Sequence, residues 1–148
     1  HGAQLGKVRL MEILRKLAGF VPTMEVSQVM DATPAVVWDI LIDTHQWPRW
    51  GPTVRAVRCS HRRIERGSEG AVQTPVGIWL PFVVTELKPE AYWSWDVASV
   101  PATGHRLRRL GPGRCEVAFE VPFPAAPYLF ICRLALNRIA EMAAPKPV

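Results

Sequence analysis

The run APYLFICRLALNRIAEMA, residues 126–143, decides how the rest of the chain is read. At about 100° per residue, Tyr128, Leu129, Ile131, Cys132, Ala135, Leu136, Ile139, Met142 and Ala143 fill one broad apolar arc. Arg133, Asn137, Arg138 and Glu141 lie on the other side. Pro127 suits a first helical turn, where its missing N–H costs nothing, and Pro145 and Pro147 forbid continuation. A long C-terminal helix with so wide an apolar arc needs a large, curved partner.

The preceding hundred residues read as strands that could supply one. Met24 to Met30 is the first strand expected. Asp31-Ala-Thr-Pro34 is a turn, with Thr33 as N-cap and Pro34 opening a short helix that runs to Ile42. The segment Trp47-Pro-Arg-Trp50 is a bulky plug at a helix–strand junction. Strands are then expected at Val54–Cys59, Ala71–Thr74, Ile78–Leu87, Tyr92–Ala98, Thr103–Leu110 and Cys115–Val121, separated by Gly- and Pro-containing turns. Pro81 inside the third of these predicts an edge position or a bulge. Connections this short favour antiparallel neighbours, because parallel pairs need long crossovers. The order strand, helix pair, six strands, long helix is an α+β pattern in which one curved sheet is covered by the terminal helix.

Leu10, Met11, Ile13, Leu14, Leu17 and Ala18 share one side of a helical wheel ahead of Gly19 and Pro22. An amphipathic extension over residues 1–23 is therefore expected before the domain at 24–148, docked on the domain or pairing two copies into a homodimer. No apolar run approaches the eighteen or so residues of a membrane span, and Lys7 to Leu17 interleaves charge where a secretory leader would be continuously apolar. Three cysteines without C-x-x-C spacing fit a reducing compartment rather than a disulfide framework or zinc site. A cytoplasmic location is the expectation. The net charge of +5 is largely arginine, clustered at Arg55–Arg66 and Arg106–Arg114. These clusters read either as a nucleic-acid surface or as solvated strand ends. No recognition-helix, RNP or zinc-finger pattern accompanies them, so no nucleic-acid partner is expected.

Motifs for phosphate loops, zinc hydrolases or nucleophile elbows are missing from the sequence, and no metal or cofactor is expected. The aromatic load stands out instead. Trp93, Trp95 and Phe119 fall on inner rows of their strands, Trp79 or Phe82 must point inward from the strand holding Pro81, and Tyr128 looks back from the helix. Patterning alone does not separate a filled core from a lined cavity. His105 shares the inward face with Thr103 and Leu107, so its imidazole would be neutral in an apolar setting. There it could contact a ligand, act as general acid or base, or simply be satisfied by Thr103 or Tyr128. Cys132 reads as a small helix-face hydrophobe.

Several stretches together resemble a known family: Ala35-Val-Val-Trp-Asp-Ile-Leu-Ile-Asp43, Trp47-Pro-Arg-Trp-Gly-Pro52, Gly67-Ser-Glu-Gly70, Pro81-Phe-Val-Val-Thr-Glu86, Tyr92-Trp-Ser-Trp95 and Pro101-Ala-Thr-Gly-His105. With the C-terminal helix they resemble the polyketide cyclase/dehydrase and lipid-transport group of the START-like (SRPBCC) superfamily, and the Ala-Thr-Gly-His segment points to a bacterial subgroup. The resemblance implies a helix-grip fold, with a seven-stranded antiparallel sheet wrapped around the last helix and two short helices closing one end. It also implies an apolar cavity between sheet and helix. The expected function is binding of a hydrophobic lipid, aromatic or polyketide-like molecule. The alternative is a cyclase or dehydratase using His105 as general acid or base. The expected ligand-contacting residues are Trp47 and Trp50 flanking the mouth, Trp79, Phe82, Trp93, Trp95 and Phe119 as walls, and Thr103, His105, Tyr128 and Cys132. Leu136 and Ile139 are expected to pack on the sheet, and Phe130 and Leu134 to receive the N-terminal helix.

Overall fold

The structure is a computed structural model that describes Gly6, Arg9, Leu10 and residues 23–122 and 126–145. The expected N-terminal amphipathic helix, and any homodimer formed through it, otherwise lies outside the described residues.

Seven strands form one antiparallel sheet: β1 (Thr23–Met30), β2 (Ala56–Cys59), β3 (Glu69–Gln73), β4 (Trp79–Lys88), β5 (Tyr92–Val97), β6 (Val100–Gly111) and β7 (Arg114–Pro122). Their spatial order is β1-β7-β6-β5-β4-β3-β2, so every neighbour from β2 to β7 is a sequence neighbour and only β1 returns from afar. Helices α1 (Pro34–Ile42) and α2 (Trp47–Trp50) follow β1. One 3₁₀ turn at Ala126–Tyr128 leads into α3 (Leu129–Ala143), which packs on β1, β7, α1 and α2. The Arg133 guanidinium also donates to the Ser27 carbonyl at 2.9 Å, tying α3 to the edge strand. Cys132, Ala135, Leu136, Ile139 and Ala143 are the buried face of α3, whereas Phe130 is 83% exposed.

One local expectation holds in position and another is corrected. Thr33 is the N-cap of α1, in extended conformation with Pro34 in the first turn; its side chain makes no capping hydrogen bond, and its carbonyl accepts Val37 N–H at 3.1 Å. Pro81 lies neither on an edge strand nor at a bulge, since β4 sits between β3 and β5 and its irregularity falls between Val84 and Glu86. The Pro81 carbonyl accepts Ala98 N–H at 2.8 Å, and a residue's N and O face the same neighbour in an antiparallel ladder. The missing N–H therefore faces the β5–β6 turn, beyond the last β4–β5 pair, Phe82 with Val97. No ladder bond is lost.

That turn is tight. Val97 pairs with Val100, and both intervening residues have positive φ, Ala98 at 51° and Ser99 at 65°. A two-residue hairpin of this hand matches the sheet's twist but normally uses Asn-Gly, because side chains strain in the left-handed region.

Candidate functional site

The deep end of the site is built where α1 stops. The last carbonyls of a helix lack intrahelical donors, and here two indoles supply them: Trp47 Nε1 donates to the Leu41 carbonyl at 2.9 Å, and Trp50 Nε1 to that of Ile40 at 3.1 Å. This is what the Trp-Pro-Arg-Trp segment does. With their N–H groups spent, both rings are free to be buried, and both are. Trp47 stacks on Trp93 with centroids 5.3 Å apart and planes within 3°, and Trp93 stacks on His105 at 3.9 Å. Phe119 meets the imidazole edge-on at 4.7 Å, and Trp95 closes on Trp47, Trp93 and Phe82. Each aromatic pair contributes about 0.5–1.5 kcal/mol beyond its area, so much of the sequence's aromatic content is packed solid.

His105 is held in one tautomer. A carbonyl only accepts, so the 3.2 Å contact from Nδ1 to the Trp93 carbonyl places the ring proton on Nδ1. Burial pushes the imidazole pKa down to about 3, against a smaller upward pull from that hydrogen bond, and the ring is neutral. Nε2 then accepts, and the Thr103 hydroxyl, 3.0 Å away, donates to it. Thr103 Oγ1 in turn accepts from Trp95 Nε1 at 3.1 Å. Both imidazole nitrogens are engaged by protein groups.

Beyond this packed end a chamber of about 460 Å³ opens on the inner face of the sheet, walled by Val72, Leu80, Val97, Val121 and Pro122, with Tyr128, just ahead of α3, on one side and Val100, Pro101 and Ala102 at its rim. A second, deeper chamber of about 40 Å³ reaches the aromatic cluster. Thr53, Val54, Trp95, Thr103 and Tyr128 border both, and so form the throat between them. Thr53 Oγ1 and Tyr128 Oη share a hydrogen bond of 2.7 Å across that throat. Among the described residues, no charged side chain lines either chamber.

Nine of the residues expected from sequence, Trp47, Trp50, Trp93, Trp95, Thr103, His105, Phe119, Tyr128 and Cys132, border the inner chamber. Phe82 is buried but stands behind the wall, against Trp47 and Trp95. Trp79 is corrected. Three positions from Phe82, it has the opposite parity and faces the other side of the sheet, where the Arg58 guanidinium lies 4.1 Å over its ring. Trp47 and Trp50 are corrected in place, being the floor and not the mouth. The mouth belongs to Val100–Ala102, which sequence reading did not place among the ligand contacts. Val100 is 62% exposed despite being apolar, and an apolar Val-Pro-Ala run directly after a hairpin turn was the available signal. The Cys132 thiol is pushed up to about 11 by burial, so it serves as apolar wall and not as a nucleophile.

Among the described residues no three His, Cys, Asp or Glu side chains are grouped as a metal site, and no helix is long and apolar enough to cross a membrane. No functionally curated protein sequence is significantly similar to the chain. Solved structures are similar in fold. The Zhui aromatase/cyclase of Streptomyces sp. R1128 matches with a TM-score of 0.64 at 13% identity, over 83% of this chain and 93% of that one. A Thermobifida fusca protein matches with 0.64 at 18% identity, over 82% and 92%. A conserved protein of unknown function from Enterococcus faecalis matches with 0.63 at 16% identity, over 85% and 76%. The family model described as polyketide cyclase / dehydrase and lipid transport matches residues 21–140. With its seven-stranded sheet gripping a C-terminal helix and its match along most of its length, the chain belongs to the polyketide cyclase / dehydrase and lipid transport family.

Proposed function

We propose that this protein binds a hydrophobic small molecule in the chamber on the inner face of the sheet, bordered by Tyr128 where the chain enters α3. The observation that carries this reading is the 460 Å³ chamber itself, apolar in its walls and open at the β5–β6 end. Chambers of roughly 300–1,000 Å³ with few convergent polar groups are what small-molecule sites look like. A well-packed domain of this size does not otherwise leave such a space unfilled.

The cyclase or dehydratase reading has less support. A general base needs a free lone pair within reach of the substrate proton and a pKa near the working pH. His105 has its lone pair taken by Thr103 and its pKa pushed down to about 3 by burial. Among the described residues, the other titratable groups on the chamber walls are the Tyr128 phenol and the Cys132 thiol, and burial raises the pKa of both.

Titration with apolar compounds while following tryptophan fluorescence tests the binding reading, because Trp95 borders both chambers. A saturable change with a raised unfolding temperature is expected. Ala102→Phe, which fills the rim, should weaken binding with little loss of stability. No response to straight-chain, fused-ring or aromatic probes would refute it.

A further inference from the structure

The throat's hydrogen-bonding capacity narrows the ligand class. Thr103 has one O–H and two acceptor lone pairs. Its proton goes to His105 Nε2 and one lone pair takes Trp95 Nε1–H, which leaves one acceptor. Thr53 and Tyr128 bring two hydroxyl protons and spend one on each other, so one donor is left over. The Trp93 indole N–H, on the inner chamber, is buried and has no partner at all. The constriction therefore presents one unspent donor and one unspent acceptor, with an apolar chamber on its outer side and no charged side chain on its walls among the described residues.

We infer that the ligand is a neutral molecule with an apolar body and a single hydroxyl head, the body in the outer chamber and the hydroxyl in the Thr53–Tyr128–Thr103 throat. The inference rests on the binding reading above. A hydroxyl donates to Thr103 and accepts from the leftover O–H of the Thr53–Tyr128 pair. A carbonyl accepts only and leaves Thr103 unanswered. A carboxylate also only accepts, and it brings a charge into a site with no cation to meet it. Fatty-acid anions are thereby disfavoured and their alcohols favoured. The neighbouring imidazole reinforces the preference, since its neutral state offers an incoming anion no counter-charge.

The test is a matched series on the unmodified protein, 1-decanol, decane and decanoate at pH 8, read by tryptophan fluorescence. The alcohol should bind about tenfold more tightly than the alkane, as expected for two net hydrogen bonds, and more tightly still than the carboxylate. Thr103→Val and, independently, Tyr128→Phe should each shrink the ratio of alcohol to alkane affinity measured in the same variant; the second variant keeps the His105 partner intact. Equal affinity of alcohol and alkane, tighter binding of decanoate, or an advantage that survives both substitutions overturns the head-group assignment while leaving the cavity as a binding site. Failure of all three probes to bind overturns the binding reading and this assignment with it.

Discussion

His105 should make the fold acid-sensitive at a pH where few other groups titrate. Its pKa is about 3 in the folded protein, lowered by burial, against the ordinary 6.5 of an exposed histidine. Between those values the unfolded chain binds a proton that the folded chain refuses. The contribution is complete above pH 6.5, falls by about 1.4 kcal/mol for each pH unit below it, and is gone below about pH 3. At pH 5 the loss is therefore about 2 kcal/mol. The rings of Trp93, Phe119, Trp50 and Trp95 surround the imidazole and carry no charge that could offset it. Asp43, whose carboxylate keeps a lowered pKa because Arg62 and the His45 amide outweigh its burial, stays ionised at pH 5 and does not confuse the reading. Urea unfolding at pH 7.5 and pH 5.0 measures the effect. The parent protein should lose about 2 kcal/mol more than His105→Gln, even though the variant is the less stable of the two at pH 7.5. Long-range proton–nitrogen spectra should show the Nδ1–H tautomer unchanged down to pH 5. Parallel pH dependence in parent and variant, or an imidazole titrating near 6.5, would refute the burial argument.

Two further outcomes follow from the backbone. Gly70 in β3 has no room for a side chain: a Cβ there would run into the Arg58 carbonyl oxygen and stand 2.9 Å from the Phe82 ring, so Gly70→Ala should cost about 3 kcal/mol, read as a lowered urea midpoint. An unchanged midpoint would mean that β2 shifts at no cost. At the β5–β6 turn, Ala98→Asn combined with Ser99→Gly should raise stability by about 1–2 kcal/mol, by relieving two left-handed residues that lack glycine's freedom; calorimetry showing no gain would place the strain elsewhere.

What could be read from sequence was whatever depends on local period. The alternation that put Trp93 and Trp95 on one face held even though the β5–β6 register shifts between Ser94 and Asp96, and the spacing of Cys132, Ala135, Leu136 and Ile139 marked the buried side of α3. Parity also implied that Trp79 and Phe82 could not share a face; which of them pointed inward needed the pairing of Gly70 with Phe82. The role of Trp47 and Trp50 was hidden because it is a long-range duty, capping carbonyls six and ten residues back. The rim at Val100–Ala102 was hidden because the strand was expected to start at Thr103, leaving three apolar residues assigned to a connection.

The aromatic residues, which drew attention to a ligand site, turn out to explain chiefly why the space is where it is. Trp47, Trp93, His105 and Phe119 lock the closed end of the grip into a rigid block, so sheet and α3 cannot collapse on each other there. Val97, Val121, Val72 and Leu80, being shorter, fail to bridge the gap at the other end, and the chamber opens among them. Replacing Val97 or Leu80, both only partly buried, by an aromatic would fill the chamber with little harm to the core, whereas trimming one aromatic would loosen the core. The packed block and the open chamber thus lie at opposite ends of one axis of the fold. The polar atoms span this division, because His105 donates inward to the Trp93 carbonyl and accepts from Thr103 at the boundary, where Thr53 and Tyr128 also bond to each other. Under the proposed head-group assignment, the three throat hydroxyls would discriminate among ligands, and the imidazole behind them would serve only to fix Thr103.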